Sequence, residues 1–428
     1  LLSELERRVR DEISAVNAMK HVKFLSDIGN RFVGSKGDKK AIDYVSKEFK
    51  KLGLTVDKTE ISVPTFRERE TKLTVVKPVK KTFQCVASYF TPPTPKKGVT
   101  APLVYVGGGE EKDYHGKDVE GKIAVMNEKG MGDLKFWMGR YAATAKHHGA
   151  LALISIHVMP YPYRTSWEIG NNNVENRFPE EGVPTATLSC VDGQELMWLM
   201  GGGEVEACLK LDVETRMAKS HVVRGVLKGR EISEEKISII AHRDNGIPPG
   251  ANDNASGTGT MLEIARALTR VGTRRSVEFI SCTAEEGVTA GAYQYVQAHK
   301  DEMPSIKALF NIDMISTGGR LNLVGRGIWP DTKPLEHSKD LNRMVLKVAH
   351  ELGYELGSMV ASWGVSESGR FIEHGVPAVW FWKPDDPYYH SVYDKPENLE
   401  PNMLKVVGDI VAITILRLDA VDKIPKFK

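Results

Sequence analysis

The chain has 428 residues, 41% of them hydrophobic, and a net charge of +2 at pH 7. That length can bury a sizeable core and predicts two or three domains. The balanced charge, with short basic runs such as Lys77-Pro-Val-Lys-Lys81 and Pro95-Lys-Lys97 that lack interleaved aromatics, argues against nucleic-acid binding, and no apolar stretch is long enough to span a bilayer.

Residues 1–97 read as the first part of a main domain. The run Lys36 to Gly53 places Ile42, Val45, Phe49 and Leu52 on one helical face and ends on glycine, the usual helix stop. Strand-like segments follow at Leu54 to Val63 and Thr71 to Val76. From 98 to 215 the texture changes to short strands and Gly-rich turns, including Val104 to Gly107, Gly121 to Val125 and Leu151 to Ile156, which predicts an inserted β-rich domain. No carboxylate or His of that segment is expected at a strand end, and its Gly107-Gly-Gly109 and Gly201-Gly-Gly203 runs lack the Lys-Ser/Thr of a phosphate loop.

From 216 to 428 strand-like and helix-like segments alternate, with helices at Ser256 to Thr269, Leu341 to Leu352 and from Pro401 onward. This predicts an α/β fold with a mixed, mostly parallel sheet sandwiched by helices. Cys85, Cys190, Cys208 and Cys282 show no CxxC spacing and no disulfide framework. Reduced thiols and a cytoplasmic location are expected, with secretion as the alternative if an upstream signal segment was removed.

The chemistry-bearing residues follow apolar runs. Ile237-Ser-Ile-Ile-Ala241 leads into His242-Arg-Asp244, Val277 to Ser281 into Glu285-Glu286, Ala308 to Ile312 into Asp313, and Val379-Trp-Phe-Trp382 precedes Tyr389-His390. Ligands of parallel sheets bind outside the carboxyl ends of the strands, so these residues are expected on one rim. His242, Asp253, Glu286, Asp313 and His390 form a nitrogen and oxygen donor set that suits two divalent metal ions, zinc by default with cobalt or manganese as alternatives. Asp253 lies on the small-residue turn Gly250-Ala-Asn-Asp253-Asn-Ala-Ser-Gly257 and is the bridging candidate. Asp244 is placed to accept the second N–H of His242. Neighbouring residues at a strand end point in different directions, so Glu286 can be a ligand while Glu285 is the general base, with Tyr389 as donor to the developing oxyanion.

These segments, together with Asn311-Ile-Asp313-Met and Tyr389-His-Ser-Val-Tyr-Asp394, resemble the signature set of the M28 family of dizinc peptidases. Asn30-Arg-Phe-Val-Gly-Ser-Lys-Gly37 is similar to that family's opening segment, and the middle segment resembles the protease-associated (PA) domain inserted in such enzymes. The resemblance implies His242 and Asp313 on one metal, Glu286 and His390 on the other, and Asp253 bridging. It departs from the family at Glu367, where Asp is common.

The resemblance implies an aminopeptidase that acts on peptide substrates. A metallocarboxypeptidase of the glutamate-carboxypeptidase type is the rival, disfavoured because only a short helix follows His390. A glutaminyl cyclase and a non-catalytic receptor-like protein are disfavoured because every ligand candidate and the base are present. Homo-oligomerisation is left open. Trp329, Trp363, Trp380 and Trp382 lie near the motifs as candidate pocket residues, with Trp380 and Trp382 expected in the core; His147, His148, His350 and His374 are expected to be non-ligands.

Overall fold

The computed structural model describes residues 2–128, 138–162, 182–287, 289–328, 333–361, 364 and 366–427. Trp329 and Trp363 lie outside the described residues. The chain forms two compact units, one of Leu1–Val63 with Ala218–Lys428 and the other of Pro64–Met217. The second unit therefore takes in strand residues before 98.

The first unit is built on four parallel strands whose run-in residues are almost all apolar. Arg275–Cys282 pairs with Ile232–His242, that strand with Ile306–Ile312, and this one with Ala378–Trp382. All four are buried near their carboxyl ends, which is why they read as continuous hydrophobic runs rather than alternating ones. Antiparallel neighbours make the sheet mixed: Val223 to Leu227 flanks Arg275–Cys282, and Asn322–Gly327 flanks Ala378–Trp382. The aligned pairs His242 with Cys282 and Ile312 with Phe381 bring the strand ends to one level.

Helices cover the sheet. Ile264 and Leu268 of Gly257–Val271 and Ile410 and Ile413 of Pro401–Ala420 join Phe279, Phe310 and Phe381 of the strands in one buried cluster. Fully burying each such side chain stabilises the fold by about 1.5–3 kcal/mol. The helix Lys36–Lys51 buries Ile42, Val45 and Phe49, and the chain turns at Gly53 with φ of +75°. Elsewhere Tyr295 and Phe371 pack with ring centroids 6.1 Å apart.

In the second unit Val99–Tyr105, Ile123–Asn127, Ala152–Ile156 and Thr185–Leu188 pair in parallel order, with Lys81–Ala87 antiparallel to the last. One expectation is corrected here. Glu128 and His157 directly follow two adjacent strands of this unit, and their side chains are buried and hydrogen-bonded to each other through Oε2 and Nδ1. The run Gly121 to Val125 stops short of the true strand end, which hides Glu128. Cys85, Cys190, Cys208 and Cys282 are free thiols, Cys282 fully buried. No helix among the described residues is long and apolar enough to cross a membrane.

Candidate metal centre

At the carboxyl rim of the first unit the backbone adopts left-handed conformations at non-glycine residues in four turns: Ala284 (φ 58°), Met314 (50°), Ser366 (44°) and His390 (50°). Such conformations cost of order 1–3 kcal/mol each and persist where the surroundings over-determine them. Ala284 and Met314 adjoin Glu285 and Asp313, so the strained positions are the ones that aim the side chains inward.

Two donor groups result, His242 with Asp253 and Asp313, and Asp253 with Glu286 and His390; within each group the donor atoms lie within 4.8 Å of one another. His242 Nε2 is 3.3 Å from Asp253 Oδ1 and 3.3 Å from Asp313 Oδ1. His390 Nε2 is 3.2 Å from Asp253 Oδ2 and 3.0 Å from Glu286 Oε2. Asp253 thus offers one oxygen to each group. A tetrahedral cation with bonds of about 2.0 Å needs donors about 3.3 Å apart, the spacing found here. Glu286 Oε1 is buried with no hydrogen-bond partner, as expected of an oxygen kept for a cation. The residues present therefore fit two divalent ions. No other group of three such donors occurs among the described residues, so His147, His148, His350 and His374 stand apart from any such cluster.

The turn carrying Asp253 is fixed from both sides. Asp394 accepts the backbone N–H groups of Asn252 at 2.6 Å and Asp253 at 3.0 Å. Asn252 donates its amide to Asp386 and accepts from the Ser316 N–H, both at 2.8 Å. Asn254 donates to the Ile312 carbonyl at 2.9 Å and accepts the Gly257 N–H at 2.8 Å. The peptide bond between Asp253 and Asn254 is cis.

Asp244 Oδ1 lies 3.4 Å from His242 Nδ1, and the same carboxylate accepts the backbone N–H groups of Glu285 at 3.4 Å and Glu286 at 3.3 Å. It orients an imidazole and a turn at once. Asp313 Oδ2 lies 2.8 Å from Ser366 Oγ, which is also 2.7 Å from Glu367 Oε2. Glu367, the departure from the family pattern, is fully buried, and burial raises it to about 7. Burial likewise pushes the half-buried Glu285 well above the usual carboxylate range; His242 opposes this, while Asp313, Glu367 and Glu286 add to it. The Tyr389 ring stacks on His390 with centroids 3.8 Å apart and packs beside the buried cluster of Met314, Trp380 and Trp382. Trp380 and Trp382 stack on each other at 4.9 Å and are 5% and 2% exposed, hence core.

All the sequence-selected residues, His242, Asp244, Asp253, Glu285, Glu286, Asp313, Tyr389 and His390, converge on this rim. Sequence reasoning gave no role to Asn252, Ser366, Asp394 or Arg31, each of which holds part of the site. Asp394 ends the quoted Tyr389 motif and Arg31 is the second residue of the N-terminal one, so both were signalled without a visible partner.

A mostly parallel sheet with two imidazole–carboxylate groups at its carboxyl rim fits a metal-dependent hydrolase, and the comparisons place it among peptidases. Residues 223–415 match the model of Peptidase family M28, and residues 99–196 match the PA domain. Aminopeptidase YwaD of Bacillus subtilis is 26% identical over 99% of this chain and 89% of its own length. Carboxypeptidase Q of Xenopus laevis is 26% identical over 92% of this chain and 85% of its own. The solved structure of BSAP, a zinc aminopeptidase from Bacillus subtilis, superposes with a TM-score of 0.74 at 25% identity, covering 97% of this chain and 98% of that one. The peptidase family M28 model thus accounts for the segment that carries every donor residue, and the PA domain model for the middle segment.

Proposed function

We propose that the chain is a metal-dependent aminopeptidase that removes N-terminal residues from peptides. The observation that carries this reading is the pair of donor groups sharing Asp253 next to a free carboxylate, Glu285. The similarity to a Bacillus subtilis sequence named as an aminopeptidase and to a solved structure named as a zinc aminopeptidase supports the same choice.

In this reading His242, Asp253 and Asp313 would hold one divalent ion and Asp253, Glu286 and His390 the other, zinc in both by default. When bound, such ions supply Lewis acidity and lower the pKa of an attacking water. The protein's own groups do the rest. Glu285 accepts the water's proton and delivers it to the leaving amine, and the burial that raises its pKa makes it the stronger base for that task. Tyr389, held against His390, donates its O–H to the oxyanion as the carbonyl becomes tetrahedral. Asp244 keeps His242 in orientation, and Asp394 keeps the turn of Asp253 in place.

The test is hydrolysis of a panel of free and N-acetylated aminoacyl and dipeptide substrates by chelated protein, then after addition of zinc, cobalt or manganese. Cleavage restored by metal and dependent on a free amino terminus is the expected result. Cleavage of blocked substrates at their carboxyl end would replace the reading by a carboxypeptidase, the activity named for the Xenopus relative. Absence of metal-dependent cleavage of either kind would defeat it.

A further inference from the structure

Arg31 is fully buried and makes no ion pair with a carboxylate among the described residues. Its guanidinium instead donates to four backbone carbonyls, Nε to Arg243, Nη1 to Leu25 and Pro249, and Nη2 to Gly250, each at 2.7 Å. Its own backbone N–H donates to Asn245 Oδ1 at 2.8 Å, and Asn245 Nδ2 donates to the Gly29 carbonyl at 3.0 Å. A buried charge without a partner of opposite sign is costly, so this arrangement needs compensation from somewhere.

Two features supply it. Three of the four carbonyls belong to the loop from Arg243 to Gly250, which starts immediately after His242 and ends three residues before Asp253. One planar cation therefore ties both ends of the loop that separates two donor residues. The charges of Asp394, Asp244, Asp253 and Glu286 also favour the guanidinium, against a burial that brings its pKa down to about 10. The carboxylates crowded at the rim and this cation compensate one another.

We propose that Arg31 is a positioning residue of the metal centre, setting the spacing of His242 and Asp253 through the carbonyls of Arg243, Pro249 and Gly250 and offsetting the charge of the surrounding carboxylates. This rests on the reading of the site as a metal centre. It gives the opening segment Asn30 to Gly37, remote in sequence from every donor, a direct part in the site.

A second buried arginine in the same unit provides the control. Arg275 is also fully buried and donates to the carbonyls of Leu418, Asp419, Val421 and Asp422, with Glu235 as its ion partner. It stands at the amino end of the strand whose carboxyl end leads to Glu285. A purely structural loss is therefore reproduced by Arg275→Lys, which keeps charge but not the planar fork.

The experiment loads the parent, Arg31→Lys and Arg275→Lys with cobalt and records the visible absorption of the bound ion, cobalt affinity by competition with a chelator, and thermal unfolding of the metal-free forms. Both variants are expected to lower the unfolding temperature. Only Arg31→Lys should change the cobalt spectrum and weaken binding, by about 10–100-fold as for other residues that orient metal ligands. Equal affinity and an unchanged spectrum in Arg31→Lys would overturn the proposal. Should that variant not fold, Asn245→Ser cuts the same segment from the same loop and must shift the spectrum; an unchanged spectrum there also overturns it. A parent that binds no cobalt would instead defeat the metal-centre reading itself.

Discussion

Two titratable groups of the first unit, the half-buried Glu285 and the buried His337, make separable predictions. Glu285 lies beside the donor groups and is assigned the proton transfer, so Glu285→Gln keeps the shape of the side chain and removes its basicity. Turnover should fall by about 10²–10⁴-fold, the usual contribution of such a group, while metal content stays near that of the parent. Metal analysis alongside kinetics checks this, and loss of metal would show Glu285 to be a ligand. His337 is away from the donors, its Nε2 2.9 Å from Ser368 Oγ and its ring 6.1 Å from Trp380. Burial pushes it down to about 3, below the ordinary value of 6.5. The folded state then binds fewer protons than the unfolded one between those values. Its contribution is intact above pH 6.5 and is lost as pH falls toward 3, at about 1.4 kcal/mol per unit. Urea unfolding of His337→Gln should therefore show a shallower loss of stability over this interval than the parent; parallel profiles would remove His337 as the cause.

At the scale of elements, the sheet rim was visible in advance because strand ends are local events. An apolar run that stops at His242 or Asp313 shows both the strand and the residue that leaves it, and the helix faces of Ile42, Val45 and Phe49 obey the same local periodicity. Contacts between distant segments were not visible. Asp394 reaches Asp253 across 141 residues and Arg31 reaches Gly250 across 219, and no period or spacing in one chain encodes such pairs. Glu128 was missed for a different reason, an error of two residues in where its strand ends, whereas His157 directly follows a run whose end was placed correctly and lacked only its visible partner. The turn before the helix Gly257–Val271 joins both kinds of information, since its small residues are local but their necessity is tertiary. A Cβ at Gly257 would stand 2.2 Å from the Ile312 carbonyl oxygen and 2.4 Å from Asn254 Oδ1. The first is backbone, and the second ends an amide pinned by its hydrogen bonds to the Ile312 carbonyl and the Gly257 N–H, so the end of the Asp313 strand and the turn must separate. Gly257→Ala should cost about 1–3 kcal/mol of stability, as overpacking does, and loosen metal binding at the group containing Asp313. Equilibrium unfolding and metal titration measure the two effects, and a variant with parent-like values in both would show that the turn yields without moving Asp313.

For the molecule as a whole, the division into units places every donor residue in one of them. His242, Asp253, Glu286, Asp313 and His390 all belong to the unit of Leu1–Val63 with Ala218–Lys428, and the cluster around Phe279 and Ile410 that supports them is separate from the cluster around Tyr114, Met126 and Tyr141 in the other. A ligand that binds only the folded form stabilises what it binds, by about 2.7 kcal/mol per site when present at a hundred times its dissociation constant. Metal should therefore raise the unfolding temperature of the first unit by roughly 2–4 °C for each kcal/mol gained, and leave the PA-containing unit where it was. Calorimetry of chelated and zinc-restored protein reads this directly. One moving and one stationary transition is the expected outcome. A shift in the second transition alone would place the metal outside the rim. A single transition that moves as one would show that the two cores unfold together, so that binding at the rim is felt by the whole chain.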